Sequence, residues 1–372
     1  MLNWKTEEGS TGRLIQYCLG YFIFYIITGV SVKYFTGKPE LGFPGMKETE
    51  YLIYSTIGGN LICLVTVFVL KWYRLASNQL IRVAGVDIPR ETLYIIPSGI
   101  CTAVIIPTTT LMYTLPISVM VAMVIMRASV IVISRIVDAI QIHQGILKKK
   151  LYVQENIAVV FALLAAAVNI FWVGSADFDF VNSFAAMTIL GSYIVAYSIR
   201  IYIMNYYKNT RAQGVKLDNN GFFAIEQIVA SVIMILLGTV LYNGADWFNA
   251  NGGQLTIFKN AIATPQPLWG MAILIGMAYG IVAFFSVFIF MFKGRTATFA
   301  GLVNRLTSLV AGTTATLVSF LMFGGKLPKT QDWISLVFIL IAVAFLSVAE
   351  RKRSNELAGR ANGSGTVAPP KP

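Results

Sequence analysis

Two arginines stand where hydrocarbon-spanning segments leave little room for charge. Arg127 interrupts the apolar stretch "AMVIMRASVIVISRIVDAI" (122–140), and Arg305 interrupts "TATFAGLVNRLTSLVAGTTATLV" (296–318). A guanidinium is always charged, offers five donors in a planar fork, and matches a carboxylate or phosphate bidentately. Placing one at the centre of a membrane helix costs about 3 kcal/mol on insertion scales, so it normally faces a partner or a wet cavity. At about 100° per residue, Met120, Met123, Arg127, Ile131, Ser134 and Asp138 share one helix face. Asp138 is eleven residues from Arg127, about 16 Å of helical rise. That is too far for contact, and Asp138 is read instead as a partner of Arg135 and Ser134. The face of Arg305 holds Thr298, Gly301, Ser308, Gly312 and Thr316, all small or polar around one cation. Two guanidiniums on one aqueous cavity make a site for an anion.

The segments that must position these residues follow from composition. The 372-residue chain is 56% hydrophobic and 12% charged, with a mean hydropathy of +0.69. A soluble core grows too slowly with size to hide that much apolar side chain. Apolar runs near the bilayer-crossing length of about 20 residues fall at 14–34, 51–73, 93–113, 116–139, 154–174, 184–206, 221–243, 268–292, 297–323 and 332–349. The expected fold is an all-α polytopic membrane protein of ten transmembrane helices. The "YTLP" turn at 113–116 makes a hairpin of the third and fourth, since proline ends one helix and opens the next. A proline in "PTTTLMY" of span three is expected to unwind the helix there and free carbonyls.

Most of the 29 Lys and Arg fall in the connections on the side of the N-terminus. The opposite side holds Lys33, Lys38, Lys47, Lys259, Lys326 and Lys329. Basic connections stay cytoplasmic, so both termini are expected inside. The net charge of +12 is then a matter of topology rather than of nucleic acid. Only three basic residues lie deep in spans: Arg127, Arg200 and Arg305. Arg200 and Glu226 are expected to pair between spans six and seven, with proton coupling at Glu226 as the sharper alternative.

At an offset of 178 residues Arg127 falls on Arg305 and Asp138 on Thr316. Each half holds five crossings, an odd number, so the second half would insert upside down. The expected organisation is a cytoplasmic N-terminus (1–13), a first five-helix repeat (14–174), an external linker (175–183), a second repeat (184–350) and a disordered cytoplasmic tail (351–372). An inverted repeat places a site near mid-membrane between the halves.

In this layout the chain resembles the drug/metabolite transporter superfamily, with ten helices in two inverted halves and short basic turns after spans four and nine. A cation midway along span four and another midway along span nine is similar to its sugar-phosphate and nucleotide-sugar branch. There a Lys-Arg pair in span nine holds the phosphate. Here Asn304 stands at the first place of the pair and Arg305 at the second. In the superfamily, spans one, three, four, six, eight and nine wall the central cavity. That implies contacts from Tyr25, Tyr197 and Tyr279, which lie too deep to be interfacial anchors like Tyr17 or Tyr206.

The expected function is a secondary transporter of a small organic anion, a phosphorylated metabolite or nucleotide-sugar-like compound. Its substrate residues would be Arg127, Arg305, Asn304, Ser308, Tyr25, Tyr197 and Tyr279. An EamA-type, proton-coupled exporter of amino acids or other metabolites is the alternative. No HExxH, GxSxG or GxxxxGK[ST] pattern occurs, which argues against an enzyme or an ATP-driven pump. A single His143 builds no histidine metal site, and no cofactor, metal or nucleic acid is expected. The partners are the lipid bilayer and a small-molecule substrate, with a homodimer allowed for. The short loops and the lack of a transit peptide point to a bacterial inner membrane, with a eukaryotic endomembrane as the other setting.

Overall fold

The computed structural model describes the chain except for residues 1–8, 78, 84, 115–118, 148–151, 172–182, 212–214, 248–252, 325–329 and 364–372. Among the described residues there are eleven α-helices and one small hairpin. The first helices are α1 (Thr11–Phe35), α2 (Glu48–Val69), α3 (Thr92–Thr114), α4 (Val119–His143) and α5 (Val153–Phe171). The remainder are α6 (Phe184–Asn209), α7 (Asn219–Trp247), α8 (Gln254–Ala263), α9 (Trp269–Phe290), α10 (Ala297–Phe323) and α11 (Thr330–Gly363). Strands β1 (Leu80–Val83) and β2 (Val86–Pro89) pair antiparallel between α2 and α3, turning at Gly85 with φ +85°. Over its described residues each of the ten expected segments falls on a helix, and eight of those helices are long and apolar enough to cross a membrane. The protein is helical and multi-pass.

Local chemistry explains several boundaries. The Ser183 hydroxyl accepts the N–H of Ala186, and the Thr296 hydroxyl accepts that of Phe299, which starts α6 and α10 with side-chain caps. Gly324 stops α10 in the left-handed region, φ +64°. Two features differ from the sequence reading. Helix α3 is continuous through Pro97 and Pro107, so the expected unwinding is corrected. A proline removes one N–H and kinks a helix without ending it where neighbouring helices pack against it. Beside Pro107, Thr108 donates to the Val104 carbonyl at 2.7 Å and Thr109 to that of Ile105 at 2.7 Å. Helix α11 continues to Gly363, into the segment expected to be a disordered tail. Arg353 pairs with Glu155, and the Tyr152 hydroxyl donates to Glu356 at 2.8 Å, which ties that extension to the start of α5.

The helices pack in a related pattern. α1 packs on α9 and α10, as α6 packs on α3 and α4; α2 packs on α9, as α7 packs on α3. This makes one group of α1, α2, α9 and α10, and a second of α3, α4, α6 and α7. The groups meet where α4 crosses α10, and α5 lies along α11 beside that crossing.

Within the first group, α2 and α9 approach almost backbone to backbone through Gly58, Gly59, Gly276 and Gly280. A Cβ on Gly276 would lie 2.5 Å from the Ser55 Cα. Close approach of this kind is how membrane helices gain dispersion energy without a hydrophobic driving force. Gly270, on the same helix, faces open space. Gly276→Ala is therefore expected to lower stability by about 1–3 kcal/mol and Gly270→Ala to leave it unchanged or raised, as read by thermal melting in detergent.

Candidate functional site

Arg127 and Arg305 each lie against a tyrosine of the opposite helix group. Arg127 of α4 is 5% exposed, and its Nη2 donates to the hydroxyl of Tyr25 on α1. Its guanidinium also sits 5.5 Å from the Tyr25 ring centre. Arg305 of α10 is 1% exposed and lies 4.8 Å from the ring centre of Tyr197 on α6, and 5.6 Å from that of Phe290. Its Nε and Nη2 are buried without a hydrogen-bond partner among the described residues.

A second tyrosine backs each pair one turn earlier. Tyr21 and Tyr25 are 5.4 Å apart between ring centres, and Tyr193 and Tyr197 are 4.6 Å apart. Both members of the second pair lie 172 residues after those of the first. Arg127 and Arg305 are close enough to repel one another, and both act on Tyr21, Tyr193 and Tyr197. Tyr279 of α9 is within the same electrostatic reach of Tyr25, Tyr197 and Arg127. The structure thus brings Arg127, Arg305, Tyr25, Tyr197 and Tyr279 together.

The other two expected residues are differently engaged. Asn304 accepts from the Tyr21 hydroxyl at 3.5 Å and donates to the Ser286 hydroxyl at 3.1 Å. It reaches the cluster through Tyr21. Ser308 is fully buried and donates to the carbonyl of Arg305 at 2.8 Å, so its proton is committed to its own helix.

Arg200 has the partner expected for it. Its Nε and Nη2 donate to the two oxygens of Glu226 at 2.9 and 2.7 Å, and Ser98 donates to Glu226 at 2.5 Å. The pair ties α6, α7 and α3 inside one group. Asp138 requires a correction. It does not pair with Arg135 or Ser134; its carboxylate accepts the backbone N–H groups of Ala297 and Thr298 at 2.8 and 2.6 Å. Ser134 instead donates to the Val130 carbonyl at 2.8 Å, and its hydroxyl packs against Gly301. A carboxylate is stabilised at a helix N-terminus by orphan donors and the helix dipole, and no pattern on its own helix reveals that.

Sequence reasoning also missed Phe290, Ser286 and a buried charge cluster. In the cluster Arg295 pairs with Glu350, Arg353 with Glu155, and the Thr11 hydroxyl donates to Glu350 at 3.1 Å. Burial pulls the Arg295 guanidinium below the ordinary arginine value, and the Glu350 carboxylate opposes that pull. The four charges were legible as basic-turn and helix-end residues, but not as one network. Among the described residues no group of three His, Cys, Asp or Glu sits together as metal ligands would.

No family model matches the chain, and no curated protein does. Among solved structures, one described only as a crystal structure of a protein aligns with 92% of this chain and 99% of its own, at 12% identity and a TM-score of 0.49. That similarity is too slight to bear on function.

Removing one partner of a buried ion pair strands the other charge, at a cost of about 3–5 kcal/mol, whereas replacing both with apolar residues is often near neutral. Glu226→Leu is expected to lose stability on that scale in denaturant-induced unfolding. Adding Arg200→Met in the same chain is expected to recover most of the loss.

Proposed function

We propose that this protein is a secondary transporter of a small organic anion, working by alternating access between its two helix groups and binding substrate between Arg127 and Arg305. The observation that carries this reading is the crossed pairing: Arg127 meets Tyr25 and Arg305 meets Tyr197, each contact spanning the two groups. A ligand bound to both guanidiniums touches both groups at once. Relative motion of the groups would then pass it from one side to the other.

Electrostatics supports an anion. Glu226 is committed to Arg200, while Arg305 keeps two buried donors unpartnered among the described residues. The ring faces of Tyr197 and Phe290 lower the cost of its charge by about 2 kcal/mol when desolvated, and they leave the donors of the fork for a ligand. A phosphate or carboxylate accepts from such a fork bidentately. Both arginines are closed off from solvent, so entry requires the groups to part. The tyrosines around them suit a ring-bearing metabolite, of the phosphorylated or nucleotide-sugar kind.

The helix layout, the related packing of the two groups and the 178-residue spacing support ten membrane crossings in two inverted repeats, and with them a drug/metabolite type of transporter. The basic connections on one side support cytoplasmic termini, and the short loops a bacterial inner membrane. A second reading is an EamA-type exporter of amino acids or other metabolites. Asn304 favours it, because a neutral residue held by Tyr21 and Ser286 stands beside Arg305.

Reconstituted in liposomes preloaded with organophosphate, the protein is expected to exchange it, and Arg305→Ala and Arg127→Ala are each expected to reduce exchange at least about a hundredfold, the scale of one stranded ionic contact. Arg305→Lys, which keeps the charge but not the fork, is expected to retain part of the activity. Exchange of amino acids but not organophosphates would favour the second reading. Unchanged transport in both alanine variants would reject the two-arginine site.

A further inference from the structure

The connection between α9 and α10, residues 291–296, is held from the opposite helix group by two charges of opposite sign. Asp138, in the last turns of α4, accepts the N–H groups of Ala297 and Thr298 at the first turn of α10. Lys208, in the last turn of α6, donates from Nζ to the carbonyl of Phe290, the final residue of α9, at 2.9 Å. Each charge sits at the helix end whose dipole it complements, the carboxylate at an N-terminus and the ammonium at a C-terminus. Asp138 is fully buried and Lys208 is 9% exposed, so solvent weakens neither contact much.

Both contacts join the two groups, unlike the Arg200–Glu226 pair, which stays within one. The same connection carries Arg295, whose pairing with Glu350 ties it to α11. The arrangement is also one-sided. At the spacings that place Arg127 on Arg305 and Tyr25 on Tyr197, Asp138 falls on Thr316 and Lys208 on Thr36, neither of them charged. The charged contacts therefore lie at the end that carries the basic connections. One turn inward, Phe290 is the ring that packs against Arg305. The carbonyl that Lys208 holds thus belongs to a residue of the candidate site itself.

We infer that Asp138 and Lys208 are the gate of the transport cycle: together they clamp the α9–α10 connection shut over the arginine site on its basic side, and their release opens the site to that side. This inference rests on the alternating-access reading above. Opening requires Asp138 to give up two charge-assisted hydrogen bonds and Lys208 one, while the packing inside each group is kept. The Lys208 contact also links the gate to the ligand, because any shift of Phe290 against Arg305 moves the carbonyl that Lys208 holds.

The test uses the full-length chain with Cys18, Cys63 and Cys101 replaced by alanine and a reporter introduced as Ser308→Cys, beside Arg305. Membrane vesicles of both orientations are treated with a membrane-impermeant maleimide. Asp138→Asn and Lys208→Gln are each expected to speed labelling from the basic side by about tenfold, the scale of one lost charge-assisted hydrogen bond, and to leave the opposite side unchanged or slower. The two substitutions act on different helix ends, so one that fails to fold leaves the other as the reading. Glu226→Gln, which weakens an equally buried contact inside one group, is expected to label at the parent rate. Parent-rate labelling in both gate variants would overturn the inference, as would equal acceleration in all three. Sulfate, a fixed anion, is expected to slow labelling of the parent. A parent indifferent to sulfate, with the gate variants still accelerated on one side, would count against the anion site and not against the gate.

Discussion

A guanidinium buried among apolar helices must have its charge answered, and this protein does so in two ways at Arg127, Arg200 and Arg305. Arg200 receives a full carboxylate, held in a fork by Glu226 and steadied by Ser98. Arg127 and Arg305 receive tyrosines. A ring face contributes about 2 kcal/mol when desolvated, less than the cost of about 3 kcal/mol for a central arginine. Arg127 and Arg305 also lie within repulsive reach of each other, which adds to the cost. The Arg200 pair is complete by itself, and so it is structural. Arg305 keeps Nε and Nη2 without a partner among the described residues, the donors that the proposed anion would take.

The packing explains how that deficit is tied to motion. Gly58, Gly59, Gly276 and Gly280 lock α2 to α9, and Gly99 sits as tightly against Val229 and the Glu226 carbonyl where α3 meets α7. Contacts inside each group are thus short, backbone-based and slow to rearrange. Contacts between the groups combine apolar packing, such as Phe223 on Phe284 and Ser134 against Gly301, with polar side chains: Arg127 on Tyr25, Arg305 on Tyr197, Asp138 on the start of α10, Lys208 on the end of α9. The polar contacts exchange partners at lower cost than packed backbone. The proposed transport cycle would have the two groups move as bodies about the α4–α10 crossing.

The periodic, long-range features were legible in the sequence. The apolar segments fell on helices, eight of them long and apolar enough to cross a membrane, because a long apolar run has few other solutions there. Arg127, Arg305, Tyr25, Tyr197 and Tyr279 came together because each lies deep on its segment. What escaped notice depends on partners remote in sequence. Asp138 bonds the backbone of residues 159 and 160 positions away, and backbone donors carry no residue signature. Lys208 likewise meets a carbonyl, and at the end of an apolar segment it reads as an ordinary topology signal. The β1–β2 hairpin and the ten-residue α8 are too short to show a period. Pro107 misled because a proline removes one N–H without ending a helix that its neighbours hold in place, and that packing is not written in the local sequence.

The claim on which everything else turns is that Arg127 and Arg305 together recognise an anion. It is tested most directly by thermal unfolding of the purified protein against phosphorylated metabolites, nucleotide sugars and neutral amino acids. The account predicts that some of the phosphorylated compounds raise the melting temperature, that their dephosphorylated counterparts do not, and that the shift disappears in Arg305→Gln while the unliganded melting temperature changes little. Equal stabilisation by charged and neutral forms of one compound, or a shift that survives loss of Arg305, would contradict it.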